Sequence, residues 1–167
     1  MHRTSNLSVK QTADLVSGEL VRISFGASAS IAVFMKHLDR GRSLIGVLKS
    51  ESFTNPMTWY AGDLQDHVLS YGVDWVVDEI HGPETAWRGR YGQQSATFYV
   101  TKDGPVMSFR APEHTGRYQF VHFRLSDNVE VDFDAGSAPV DNWRIWESLD
   151  HVNAGGEPIL EMIKTDS

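Results

Sequence analysis

The chain contains no cysteine, which excludes disulfides, cysteine-ligated zinc and a thiol nucleophile and fits a reducing compartment. No apolar run approaches the ~18 residues that a membrane-spanning helix needs. The first thirty residues show no apolar segment behind a basic start. Secretion and membrane spanning are therefore unsupported, and a cytoplasmic location is the expectation. Positive charge is the scarcer sign, with 15 Lys and Arg against 22 Asp and Glu for a formal net charge of −7. That balance works against binding nucleic acid or an anionic membrane, which relies on many cations, though it leaves room for a small basic site.

Recognisable catalytic motifs are also missing. There is no phosphate-binding glycine loop after a strand, no nucleophile elbow and no zinc-protease pattern. His37, His67, His81, His114 and His151 show none of the short His-x-His or His-x3-His spacings that make a metal site readable. Nothing therefore calls for a metal or a cofactor. These absences remove only the easily recognised enzymes, because a site assembled from distant strands leaves no such trace.

What is present is strand-like alternation. At 167 residues and 41% hydrophobic content the chain suffices for a single domain over residues 1–167, burying roughly two-thirds or more of its unfolded surface. Ser8 and Gln11 have capping-box spacing and Gly18 sits where a left-handed stop would be, so a short N-terminal helix is expected over residues 9–17. Val21, Ile23 and Phe25 alternate with Leu20, Arg22 and Ser24, and Ile31, Val33 and Met35 repeat the pattern after a turn at Gly26 to Ser28. Leu44 to Leu48 is apolar on both parities except at Gly46, which predicts a central strand covered on both sides. Residues 69–78 alternate strictly and are expected to be the longest strand. Asp103-Gly104 is expected to turn a hairpin in which Phe98 pairs with Phe109 and Val100 with Met107, leaving Thr97, Tyr99, Thr101, Ser108 and Arg110 on the other face. A short strand over residues 143–147 and a short helix capped by Ser148 and stopped at Gly155 complete the chain. The fold class is mainly β: an antiparallel meander of about nine or ten strands, forming a curled sheet, barrel or two-layer sandwich with two short terminal helices.

The richest segment is a second hairpin around Ser126, Asp127 and Asn128, with Asn128 suited to the left-handed position. A three-residue loop there pairs Leu125 with Val129, Phe123 with Val131 and Val121 with Phe133 on an apolar face. It sets Arg124 against Glu130, His122 against Asp132 and Phe120 against Asp134 on the other. A two-residue loop fits worse, since it places carboxylates among core side chains.

His122 with Asp132 is the sharpest catalytic candidate, because a carboxylate on one imidazole nitrogen fixes the tautomer and leaves the other nitrogen for acid–base work. An ordinary cross-strand pair on a solvated face explains the same letters and is preferred. The row Glu130, Asp132, Asp134 has side chains ~7 Å apart, too far to hold one ion unaided, and is expected to be a solvated acidic face. Trp87, Arg88, Arg90 and Tyr91 lie in the glycine-rich stretch Gly82 to Gln94 and join guanidinium forks to flat rings. That mixture suits carboxylate, phosphate or base recognition, or equally a loop pinned by its own Trp.

If the hairpins continue as one sheet, its non-core face gathers Tyr99, Arg110, Tyr118, Phe120, His122 and Arg124. The expected function is a non-catalytic module that binds a small molecule or a partner protein through this polar aromatic face and the Gly-rich loop. Two rivals stand beside it. One is a hydrolase or isomerase with His122 as acid or base, Asp132 orienting it and Arg124 or Arg110 binding an anionic group. The other is a homo-oligomer whose exposed strand face is its subunit interface.

Overall fold

A computed structural model describes residues 6–53, 55–80, 97–112, 119–133 and 136–163. In chain order the strands are β1 (Ser8–Gln11), β2 (Leu20–Phe25), β3 (Ser28–His37), β4 (Ser43–Ser50), β5 (Thr58–Gly62), β6 (His67–Gly72), β7 (Val76–Glu79), β8 (Thr97–Thr101), β9 (Gly104–Phe109), β10 (Val121–Arg124), β11 (Val129–Val131), β12 (Ala138–Val140), β13 (Trp143–Trp146) and β14 (Leu160–Met162), with one helix, α1 (Leu149–Asn153). Among the described residues they form three antiparallel sheets, ordered β1-β6-β2-β3-β4-β5, β11-β10-β9-β8-β12 and β14-β13-β7. The chain is thus mainly β as expected, but the described residues hold about fourteen strands rather than nine or ten, and no closed barrel forms among them. Nor is it a simple meander, since β6 inserts between β1 and β2.

Strand β4 shows why its sequence is apolar on both parities. Leu44 and Leu48 enter a core shared with Phe98, Met107, Phe109 and Phe123 of the second sheet and Trp143, Ile145 and Leu160 of the third. Ile45 and Val47 enter a separate core on the opposite face, with Val21, Ile23, Ala32, Phe34 and Val68. Gly46 interrupts the run because the Phe109 ring occupies the place of its side chain: a Cβ there would lie 2.4 Å from the ring. The six-stranded sheet curls around the second core. Phe25 on β2 and Tyr60 on β5 have ring centroids 5.1 Å apart, although two strands separate them and a flat sheet would hold their backbones ~14 Å apart.

Two sequence expectations fail for tertiary reasons. Residues 9–17 are not a helix: Ser8–Gln11 pair with Ser70–His67 along the edge of β6, and only a 3₁₀ turn, Thr12–Asp14, follows. The available sheet edge satisfies these backbone groups, and the capping-box spacing is overridden. Gly18 does take the left-handed conformation, at φ 92°, but in a turn where its amide donates to Phe34 O. The alternating run 69–78 is not one long strand either, and β3 is longer. Gly72, at φ 82°, ends β6, and β7 departs to the third sheet, where Val77 pairs with Ile145. Alternation continues through the break, so period alone could not reveal it. The C-terminal elements match expectation: β13 is followed by α1, whose first turn is capped by the Ser148 hydroxyl accepting from His151 N at 3.1 Å.

Candidate functional site

The second sheet builds the site from its non-core face. Pairing of β9 with β10 sets Ser108 beside His122, and pairing of β8 with β9 sets Tyr99 beside Val106, one step along the same face. Ser108 is fully buried and His122 is 6% exposed, and Ser108 Oγ lies 2.6 Å from His122 Nδ1. The imidazole packs between two rings: Phe120 is stacked on it at 6.1 Å, and Phe133 is tilted against it at 5.6 Å. Phe133 also meets Tyr99 edge-on at 5.7 Å. The non-core face of this sheet is therefore covered in part by the chain's own aromatic side chains.

Register is the main correction. Across β10 and β11 the partners are His122 with Val131, Phe123 with Glu130 and Arg124 with Val129, one position off the expected pairing. The loop has four residues, Leu125 to Asn128, though Asn128 does adopt the left-handed conformation at φ 57°. Asp132 is thus not the cross-strand partner of His122. The other expected acid–base pair is exchanged as well. Arg124 forms a two-pronged bond to Asp127 in the turn, Nε to Oδ1 at 2.7 Å and Nη2 to Oδ2 at 2.5 Å, while Glu130 pairs with Lys36 at 2.8 Å. Phe133, expected in the core opposite Val121, lies instead on the polar face.

Even so, a cavity of about 50 Å³ brings several of the expected residues together: Tyr99, His122, Arg124 and Asp132 line it with Ser108 and Phe133. Burial pushes the His122 imidazole below its ordinary value, and the carboxylates of Asp132 and Glu130 oppose this in part. The ring therefore favours its neutral form, with one nitrogen engaged by Ser108. The cavity has room for a water or one small polar group, well short of the roughly 300–1,000 Å³ of small-molecule sites.

Arg110 does not line this cavity. Its amide donates to Met57 O at 2.8 Å and its carbonyl accepts from Trp59 N at 2.9 Å, which ties the end of β9 to β5. Tyr118, Trp87, Arg88, Arg90 and Tyr91 lie outside the described residues, as does the Gly82 to Gln94 loop. Ser108 is the cavity-lining side chain that the alternation placed on the right face but did not single out. Only the pairing of β9 with β10, strands far apart in their connection, brings it to His122. Among the described residues no group of three or more His, Asp or Glu side chains could hold a metal ion. Compared with known family models, curated proteins and solved structures, the chain matches none of them.

Proposed function

We propose that this chain is a non-catalytic binding module. In this reading it recognises a small ligand or a partner protein through the polar aromatic face of the five-stranded sheet, with the Gly82 to Gln94 loop contributing on its sequence alone. The observation that carries the proposal is the Ser108–His122 contact at the wall of a small cavity. It presents an imidazole of fixed orientation to a space that admits a single polar group, an arrangement suited to anchoring one end of a ligand. Arg124 and Asp132 at the same cavity supply charge of both signs.

A second reading, acid–base catalysis of hydrolase or isomerase type, draws on the neutral-favouring imidazole and the field of Asp132. Against it, the pairing of β10 with β11 sets Val131 and not Asp132 across from His122, so the orienting pair that this reading invokes is not the cross-strand one. The two separate in one experiment. A panel of small acids, amines and nitrophenyl esters is screened for thermal stabilisation and for turnover, using the parent chain and His122→Gln. Binding predicts stabilising compounds whose effect weakens in the variant, with no turnover in either protein. Turnover that falls by about 100-fold or more in His122→Gln would replace this reading with the catalytic one.

A further inference from the structure

A second and larger cavity, about 410 Å³, opens in the six-stranded sheet and shares no lining residue with the one beside His122. Three connections converge on it: the end of β1 with the turn after it, the β3–β4 turn and the β5–β6 connection. They are tied to one another. Thr12 N donates to Asp66 O at 2.8 Å, the Thr12 hydroxyl donates to Gln65 O, and His37 Nε2 donates to Leu15 O at 2.9 Å. The walls are therefore held in place before any ligand arrives, and the volume is that of a site for a small molecule.

The hydrogen-bonding atoms left over define what would fit. Ser43 is 1% exposed and lines the cavity, and its hydroxyl has no partner among the described residues. A carbonyl can only accept, so His37 carries its proton on Nε2, and in the neutral ring Nδ1 is an acceptor. Gln65 Oε1 accepts from Ser24 N at 3.0 Å, which leaves the amide NH2 as a pair of donors. Asp66 adds an acceptor, and because its side chain is exposed and hydrated it demands no cation. The set thus mixes donors, acceptors and a hydroxyl that is both. An amine would satisfy only the acceptors and a carboxylate only the donors. Vicinal hydroxyl groups, each donor and acceptor, satisfy all of them, and Leu64 and Ala13 offer apolar wall for carbon.

From this match we infer that the cavity binds a small neutral polyol of monosaccharide size. The site does not depend on the His122 face. The test is a titration of the isotope-labelled full chain with glucose, galactose and myo-inositol, and separately with putrescine and acetate, followed by amide NMR shifts. At least one polyol is expected to give saturable shifts at Ser43, His37 and Gln65 with a dissociation constant of about 10 mM or lower. Ser43→Ala and the exposed variant Gln65→Glu should each weaken it about tenfold, and His122→Gln should leave it unchanged. Absence of saturable shifts with all three polyols up to about 50 mM overturns the inference. So does saturation by putrescine or acetate alone, affinity untouched by both Ser43→Ala and Gln65→Glu, or polyol binding that His122→Gln abolishes, which would locate it in the other cavity.

Discussion

Strands β8 and β9 lie inside the five-stranded sheet with a partner on each side, whereas β11 has β10 on one side and forms the sheet's edge. The difference governs what a hydrophobic pattern can enforce. Phe98 and Met107 pair across β8 and β9 and are buried in the shared core. Phe123 on β10 is buried there as well, but Glu130 opposite it is 45% exposed at the side chain and reaches out to Lys36. At the rim the carboxylate stays in water, so the desolvation cost that would forbid such a pairing in the interior does not arise.

Four measurements test the contrast between interior and edge. The largest expected effect is at Phe123: replacement by Ala should cost about 3–5 kcal/mol in urea unfolding, while Val129→Ala on exposed β11 should stay within about 0.5 kcal/mol. Comparable losses at the two sites would mean that β11 is packed as interior. Next, Ser108→Ala removes one partner of a buried imidazole and is expected to cost about 1–3 kcal/mol by the same assay. A neutral result there would show that the Ser108–His122 contact is not made in solution.

Third is a pH effect. The folded imidazole of His122 is held below its ordinary value chiefly by burial, so the unfolded chain binds a proton more readily than the folded one. This contribution is intact above about pH 6.5, the ordinary imidazole value, and stability falls as pH drops through it. His122→Gln should flatten that part of the stability profile, and an unchanged slope would contradict the burial argument. The smallest effect belongs to the edge: Glu130→Gln breaks an exposed ion pair and should alter stability by less than about 1 kcal/mol. A larger change would place Glu130 in a desolvated setting.

The two hairpins also show how far sequence patterns carry. In the first, Phe98 pairs with Met107 and not Phe109, and Val100 with Pro105 and not Met107. That slip is two positions, so every side chain keeps its face and Tyr99 and Ser108 are where the alternation placed them. In the second the slip is one position, and it moves Phe133 to the face of His122 and takes Asp132 from the facing position. The turn is set by neighbours that local sequence does not reveal. Leu125 N donates to Pro105 O at 2.9 Å, and Ser126 Oγ donates to Asp103 O at 3.0 Å, binding this loop to the β8–β9 turn. Asn128 was legible as the left-handed residue because few side chains tolerate that conformation.

The amino-acid order alone determined the β character of the chain, the doubly apolar nature of β4, the Ser148-capped helix and the two faces of β8 and β9. Each of these rests on short-range periodicity or on the backbone preference of one residue. Tertiary structure alone decided that the N-terminal segment becomes a strand, that the run through Gly72 divides between two sheets, and that Val131 rather than Asp132 faces His122 from β11 while Ser108 meets it from β9. Those outcomes depend on which sheet edge is free and which neighbour holds a turn, and such contacts join residues whose separation along the chain carries no periodic signal.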